Sequence, residues 1–246
     1  MKNLNEPLKF LHAIAGLLSV LLLCPDAWAA TEVRVLDLRD GAASNTIYIR
    51  HAGTVTPVKL AKMNLSDSLR IAEPDGKISV ADLPEQLRDG RPPSEACQVA
   101  LDTEWRRVVL IVFPGSTGGG LFRIHAINAS PEVFPKGGVH LANLTNFRVI
   151  GRLGSRTIQM EPASMGLVQP PNEQVGDYPV MIDCVAKGSQ ERRPLLRGTW
   201  RREPDARQLV FIVPAPGRTV PRVFSIPDFD PAGVPPISNS KQTTDP

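Results

Sequence analysis

Aromatic residues, histidine and cysteine are all scarce in this chain of 246 residues. Phe, Trp and Tyr together make up 5%, with four histidines and three cysteines. Each shortage removes a class of function. No Cys-x-x-Cys, His-Glu-x-x-His or calcium-loop spacing occurs, so no metal site is expected. A nucleic-acid surface wants a continuous basic stripe with stacking aromatics, whereas the formal charge is a mild +3. The arginine pairs Arg106-Arg107, Arg192-Arg193 and Arg201-Arg202 have Glu104, Glu191, Glu203 and Asp205 beside them. They read as solvated faces, and no nucleic-acid partner is expected.

Catalytic signatures are missing as well. There is no G-x-S-x-G elbow. Gly115-Ser-Thr-Gly-Gly-Gly120 lacks the lysine and helix of a phosphate loop and reads as a flexible hairpin turn. Asp37, Asp102, Glu104 and Asp183 fall near strand segments, but no spacing singles out a glycosidase pair. These observations predict a protein that is not an enzyme, with no catalytic residue and no cofactor.

What the chain does contain is a repeat. Pro114-Gly-Ser-Thr-Gly-Gly-Gly-Leu-Phe-Arg-Ile124 returns as Pro216-Gly-Arg-Thr-Val-Pro-Arg-Val-Phe-Ser-Ile226. Each copy follows an apolar run, at 108–113 and 209–213. Val33-Arg-Val-Leu-Asp-Leu38 and Val139-His-Leu-Ala-Asn-Leu144 share V-x-[VL]-x-[DN]-L and open the two units. Cys97 with Cys184, and Trp105-Arg-Arg107 with Trp200-Arg-Arg202, extend the correspondence. Matching segments lie about one hundred residues apart, as expected of one unit used twice. Asp37 and Asn143 occupy matching positions, where a turn after a strand suits both.

Residues 1–29 read as a signal peptide. Lys2 and Lys9 precede or flank the apolar 10–23 segment, and Ala27-Trp-Ala29 supplies the small residues before cleavage. The apolar stretch is shorter than the roughly 20 residues a spanning helix needs, so no membrane span is expected after cleavage. Export to the periplasm or the medium follows. Leu21-Leu-Leu-Cys24 is the alternative, a lipoprotein anchored at Cys24, although Leu23 stands where a small residue is usual. An exported compartment permits a Cys97–Cys184 disulfide. Equivalent positions in two modules would instead keep each thiol as a small buried hydrophobe.

Period-two alternation recurs throughout, in Val33/Val35, Ile47/Ile49, Val58/Leu60, Leu69/Ile71, Ile78/Val80, Val139/Leu141, Ile158/Met160 and Val180/Ile182/Cys184. Glu73-Pro-Asp-Gly76 predicts a hairpin turn. The 108–113 run predicts a strand covered on both faces, either central in its sheet or pressed against the other module. The stretch 161–177 and everything from Pro227 onward read as irregular, the latter disordered. His125 and His140 fall on the polar phase of strand-like segments, and His51 beside a turn. Trp105 and Trp200 are the weak binding candidates. A sugar-binding platform needs them exposed, while a tryptophan closing the core under an arginine is the plainer reading.

The expected fold is all-β: two tandem immunoglobulin-like β-sandwich modules, with an N-terminal signal helix and a disordered C-terminal tail. The boundaries are 1–29 for the signal peptide, 30–128 and 129–228 for the modules, and 229–246 for the tail. Val139-His-Leu-Ala-Asn-Leu-Thr145, Thr199-Trp-Arg-Arg202, Arg207-Gln-Leu-Val-Phe-Ile-Val213 and Arg222-Val-Phe-Ser-Ile226 resemble a group of uncharacterised secreted bacterial two-module β proteins. That resemblance implies architecture and no activity. The function expected is an exported non-catalytic binding or structural protein of the bacterial envelope, its partner an unknown envelope protein or polysaccharide. A carbohydrate-binding module is the alternative, and a hydrolase with a site invisible in sequence stands behind it.

Overall fold

The computed structural model describes residues 30–39, 44–71, 76–88, 97–115, 122–169, 175–203, 205–215 and 217–229. The expected signal segment and residues 230–246 of the expected tail lie outside them. Sixteen strands and one short 3-10 turn, Pro84–Leu87, make up the described elements. No helix among the described residues is long and apolar enough to cross a membrane. The chain divides into two compact units after Ile127, with Ala61–Leu65 grouped with the second.

The first unit runs β1 (Thr31–Asp37), β2 (Thr46–His51), β3 (Thr54–Lys59), β4 (Leu69–Ile71), β5 (Lys77–Ala81), β6 (Gln98–Ala100), β7 (Arg107–Pro114) and β8 (Phe122–Asn128). Its sheets are β4-β1-β7-β8 and β3-β2-β5-β6. The alternating pairs place Val33 and Val35 on one inner face against Ile47, Ile49, Ile78 and Val80 on the other. Burying each such side chain stabilises the fold by about 1.5–3 kcal/mol, so the period-two pattern selects these strands. β7 is buried at every residue from Val108 to Phe113 and lies between β1 and β8, as a fully apolar run requires. A two-residue turn, Ala52-Gly53, joins β2 to β3 with φ of 45° and 81°. Both values are positive, the type I′ geometry that matches strand twist.

The second unit repeats this layout with β9 (Val139–Asn143), β10 (Arg148–Leu153), β11 (Arg156–Met160), β12 (Ser164–Val168), β13 (Gly176–Val185), β14 (Arg192–Arg202), β15 (Ala206–Val213) and β16 (Arg222–Phe229). Its sheets, β12-β9-β15-β16 and β11-β10-β13-β14, have the first unit's strand order advanced by eight. The match extends to register. β1 runs parallel to β7 with Asp37 opposite Val112, and β9 runs parallel to β15 with Asn143 opposite Ile212. Leu38 N–H then donates to Val112 O at 2.9 Å, and Leu144 N–H to Ile212 O at 2.8 Å. Two β-sandwich modules of one topology therefore carry the repeat. They are immunoglobulin-like as two-sheet sandwiches, with a strand order of their own.

Several expectations need correction. The strands flanking Glu73-Pro-Asp-Gly76, β4 and β5, belong to different sheets and do not pair as a hairpin; residues 72–75 themselves lie outside the described ones. The stretch read as irregular before Asp177 contains β12, which pairs antiparallel with β9. Its short Met-Gly-Leu-Val run is an edge strand, too brief to show a period. Pro227, Asp228 and Phe229 belong to β16, opposite Gln208, Arg207 and Ala206; proline is tolerated there because β16 is an edge. Cys97 precedes β6, whereas Cys184 lies in β13, the counterpart of β5. The two thiols are therefore not repeat equivalents. Both are buried, and they form no disulfide with each other.

Candidate functional site

Trp105 and Trp200 are half-buried, each packed against its own module's core. Thr31 Oγ1 donates to the Trp105 carbonyl at 2.7 Å, and Trp200 lies opposite Tyr178. Each closes an interior, as expected. Three arginines lie over phenylalanine rings: Arg39 over Phe122 at 5.0 Å, Arg207 over Phe134 at 4.9 Å and Arg222 over Phe224 at 5.8 Å. His125 is exposed on β8. His140, expected on an exposed phase, is half-buried with its ring 5.8 Å from Phe134. His51 ends β2 at the Ala52-Gly53 turn. No group of three His, Cys, Asp or Glu among the described residues could hold a metal.

Two ion clusters serve the fold. Asp37 Oδ1 accepts the Arg39 backbone N–H at 3.0 Å and Nε at 2.9 Å, while Arg39 Nη1 reaches Asp82 Oδ1 at 2.6 Å. Burial would lower the Arg39 pKa, but the hydrogen bonds and charges of Asp37 and Asp82 outweigh it and push it up. This cluster ties the end of β1 to the turn after β5. In the second module, Arg207 pairs with Asp228, with 7% and 0% of their side chains exposed. Arg207 also donates to the carbonyls of Ala129 and, at 3.2 Å, Phe134. It pins the 128–138 connection to β15 and β16. Asp228 escaped the sequence reading because a Pro-Asp-Phe stretch beside a proline-rich tail carries no strand signal. Burial first, then Asp183, pushes the Cys184 thiol up despite Arg193, so it stays protonated and unreactive at neutral pH.

A different surface gathers arginines, only some of which are paired with carboxylates among the described residues. β13 alternates from Asp177 to Cys184, with Tyr178, Val180, Ile182 and Cys184 pointing inward and Asp177, Pro179, Met181 and Asp183 outward, and ends on a buried Val185. Residues directly opposite on neighbouring strands share a face. Arg152, Met181 and Arg197 therefore form one outward row, and Arg148 and Arg192 share that face on either side of Val185, which is itself buried. Arg201 stands opposite Asp177 on the same face. Gly151 lets β10 and β13 lie close, since a Cβ there would strike the Met181 carbonyl.

Of these five arginines, Arg197 is neutralised by Asp183. Arg201 lies 4.0 Å from Asp177 and 3.3 Å from Glu203. Among the described residues, Arg148, Arg152 and Arg192 make no ion pair. No motif announced this face. Its arginines are separated in sequence by the whole of β11 to β13, and only the strand order brings β10 and β14 to either side of β13.

Fold and site together define a two-module β-sandwich protein with a cationic sheet face on its second module. No protein-family model matches the chain, and no curated protein does. Among solved structures, a DUF3823 family protein from Bacteroides ovatus ATCC 8483 is similar over 71% of this chain and 100% of its own, at 10% identity and a TM-score of 0.22. A likeness at that score carries no argument about function.

Proposed function

We propose that the protein is an exported, non-catalytic binding or structural protein of the bacterial envelope, acting in the periplasm or outside the cell. The leader-like composition of residues 1–29 supports export. The observation that carries a binding role is the outward placement of Arg148, Arg152 and Arg192 on one sheet, with no ion pair to any of them among the described residues. By contrast, Asp37, Asp82 and Asp228, whose carboxylates could serve general acid–base chemistry, are held by Arg39 and Arg207. β14 is an edge strand of 11 residues with five arginines and Pro194. Such an edge resists strand addition and favours contact directed by charge.

Expression of the full chain in a bacterial host, with fractionation and mass spectrometry of the mature N-terminus, tests export. A chain beginning at Ala30 in the periplasm or medium is expected. A lipid-modified Cys24 in the membrane fraction would replace free export by anchoring. An unprocessed chain retained in the cytoplasm would sink the reading.

A further inference from the structure

We propose that the outer face of the β11-β10-β13-β14 sheet binds an acidic polysaccharide, with Arg148, Arg152 and Arg192 receiving its carboxylates. The inference rests on the exported binding role above and gives it a partner class. Arg148 and Arg192 stand two strands apart across Val185, about 10 Å, and Arg148 and Arg152 about 13 Å apart along β10. Like charges gathered on one sheet face oppose folding. Arg197 shows how a carboxylate from the neighbouring strand relieves this, yet no such carboxylate meets Arg148, Arg152 or Arg192 among the described residues. An anion from outside offsets the repulsion. Guanidinium forks suit carboxylates in particular, since both N–H groups can engage both oxygens.

The rest of the face suits a sugar chain. Thr157 and Gln159 on β11 and Thr199 on β14 are exposed and offer hydroxyl and amide groups. Exposed Pro179 and Met181 between the arginine rows supply small apolar contacts for ring C–H surfaces. The described face has no aromatic for stacking bases, which single-stranded nucleic acid requires. Its cations are also far sparser than the phosphates of a duplex. Met181 is 40% exposed but stands without the Trp, Phe or Leu cluster that inserts into a lipid surface. Charges spaced by uncharged groups match a polymer in which acidic and neutral positions are interspersed.

The test uses the full chain and titrates polygalacturonate, neutral dextran, phosphatidylglycerol-rich vesicles and a single-stranded oligonucleotide at two salt concentrations. Salt-sensitive binding to polygalacturonate and none to dextran is expected. The combined Arg148→Gln, Arg152→Gln and Arg192→Gln variant should lose about tenfold or more, as charge-assisted hydrogen bonds are removed. The charge-matched Arg88→Gln, Arg123→Gln and Arg218→Gln variant, off this face, should change less than about twofold by the same logic. If the first variant does not fold, the same three arginines changed to Lys should bind several-fold weaker. Equal binding by that Lys variant, equal loss in both Gln variants, no polygalacturonate binding, or tighter binding to vesicles or oligonucleotide would each overturn the proposal. Export measured separately keeps the two ideas apart: an exported chain that ignores polygalacturonate removes the partner and leaves the envelope role. A cytoplasmic chain removes the envelope role whatever it binds.

Discussion

Asp37 and Asn143 close the same turn in the two modules. Each Oδ1 accepts the backbone N–H two residues on, from Arg39 at 3.0 Å and Thr145 at 3.2 Å. Each also accepts from that residue's side chain, Arg39 Nε at 2.9 Å and Thr145 Oγ1 at 2.7 Å. One copy is ionic and the other neutral, so the turn geometry is shared while its electrostatics have diverged. Asn143 is fully buried and its amide also donates to the Phe147 and Glu161 carbonyls, both at 2.8 Å. Asp37 instead recruits Asp82 through Arg39.

Asn143→Asp follows from that difference. The new carboxylate would face two carbonyl oxygens that now receive N–H groups, and acceptor would meet acceptor in a buried site. A loss of about 2–4 kcal/mol is expected at neutral pH, read by urea denaturation. The loss should shrink in acid, where the protonated carboxyl can donate to one carbonyl. An unchanged midpoint at neutral pH would show that the buried turn tolerates charge.

The Arg207–Asp228 pair offers a second measurement. Asp228→Asn leaves the Arg207 charge buried without its counter-ion and should cost about 3–5 kcal/mol. Replacing both partners by apolar residues, Arg207→Met with Asp228→Leu, should recover much of that. A double-mutant cycle in guanidinium chloride measures the coupling. Additive losses from the two single changes would mean that the pair does not act as a unit.

Ala52 carries φ of 45° at the first turn position of the β2–β3 hairpin, a conformation that disfavours a Cβ. Ala52→Asn places there the residue that type I′ turns prefer ahead of glycine. A gain of about 0.5–1 kcal/mol is expected, visible as a higher Tm by calorimetry. A lower Tm would place the hairpin in a different turn.

Burial pushes the Tyr178 phenol from 10.0 up to about 12. The folded state holds this proton more tightly than the unfolded chain does. Its contribution is complete below about pH 10 and is lost as pH rises from 10 towards 12, on the order of 2 kcal/mol in all. Tyr178→Phe should flatten that alkaline limb, and near-ultraviolet absorbance should show one of the two tyrosines ionising late. A limb unchanged in the Phe variant would assign the alkaline loss elsewhere.

Much of the fold could be read from alternation. Ile47/Ile49, Ile78/Val80 and Val180/Ile182 line the two cores as their spacing requires, and 108–113 lies on both buried faces of an inner strand. Short edge strands were harder. Ser164–Val168 and the end of Arg222–Phe229 contain glycine, proline and aspartate, residues that propensity assigns to loops, and pairing with β9 and β15 overrides it. Trp105 and Trp200 were legible as core closures. The arginine face was not, because it draws on strands distant in the chain.

What the residues alone determined was local and periodic: two copies of a pleated unit, their inward-facing side chains, and the Asx turns at Asp37 and Asn143. These follow from side chains alternating every residue and from a carboxamide or carboxylate reaching its own backbone. Tertiary structure decided which strands lie side by side. Lateral order depends on how each unit's two sheets close around a core, which no spacing along the chain encodes. For that reason Arg207 finds Asp228, and Arg148 and Arg152 join Arg192 on one cationic surface.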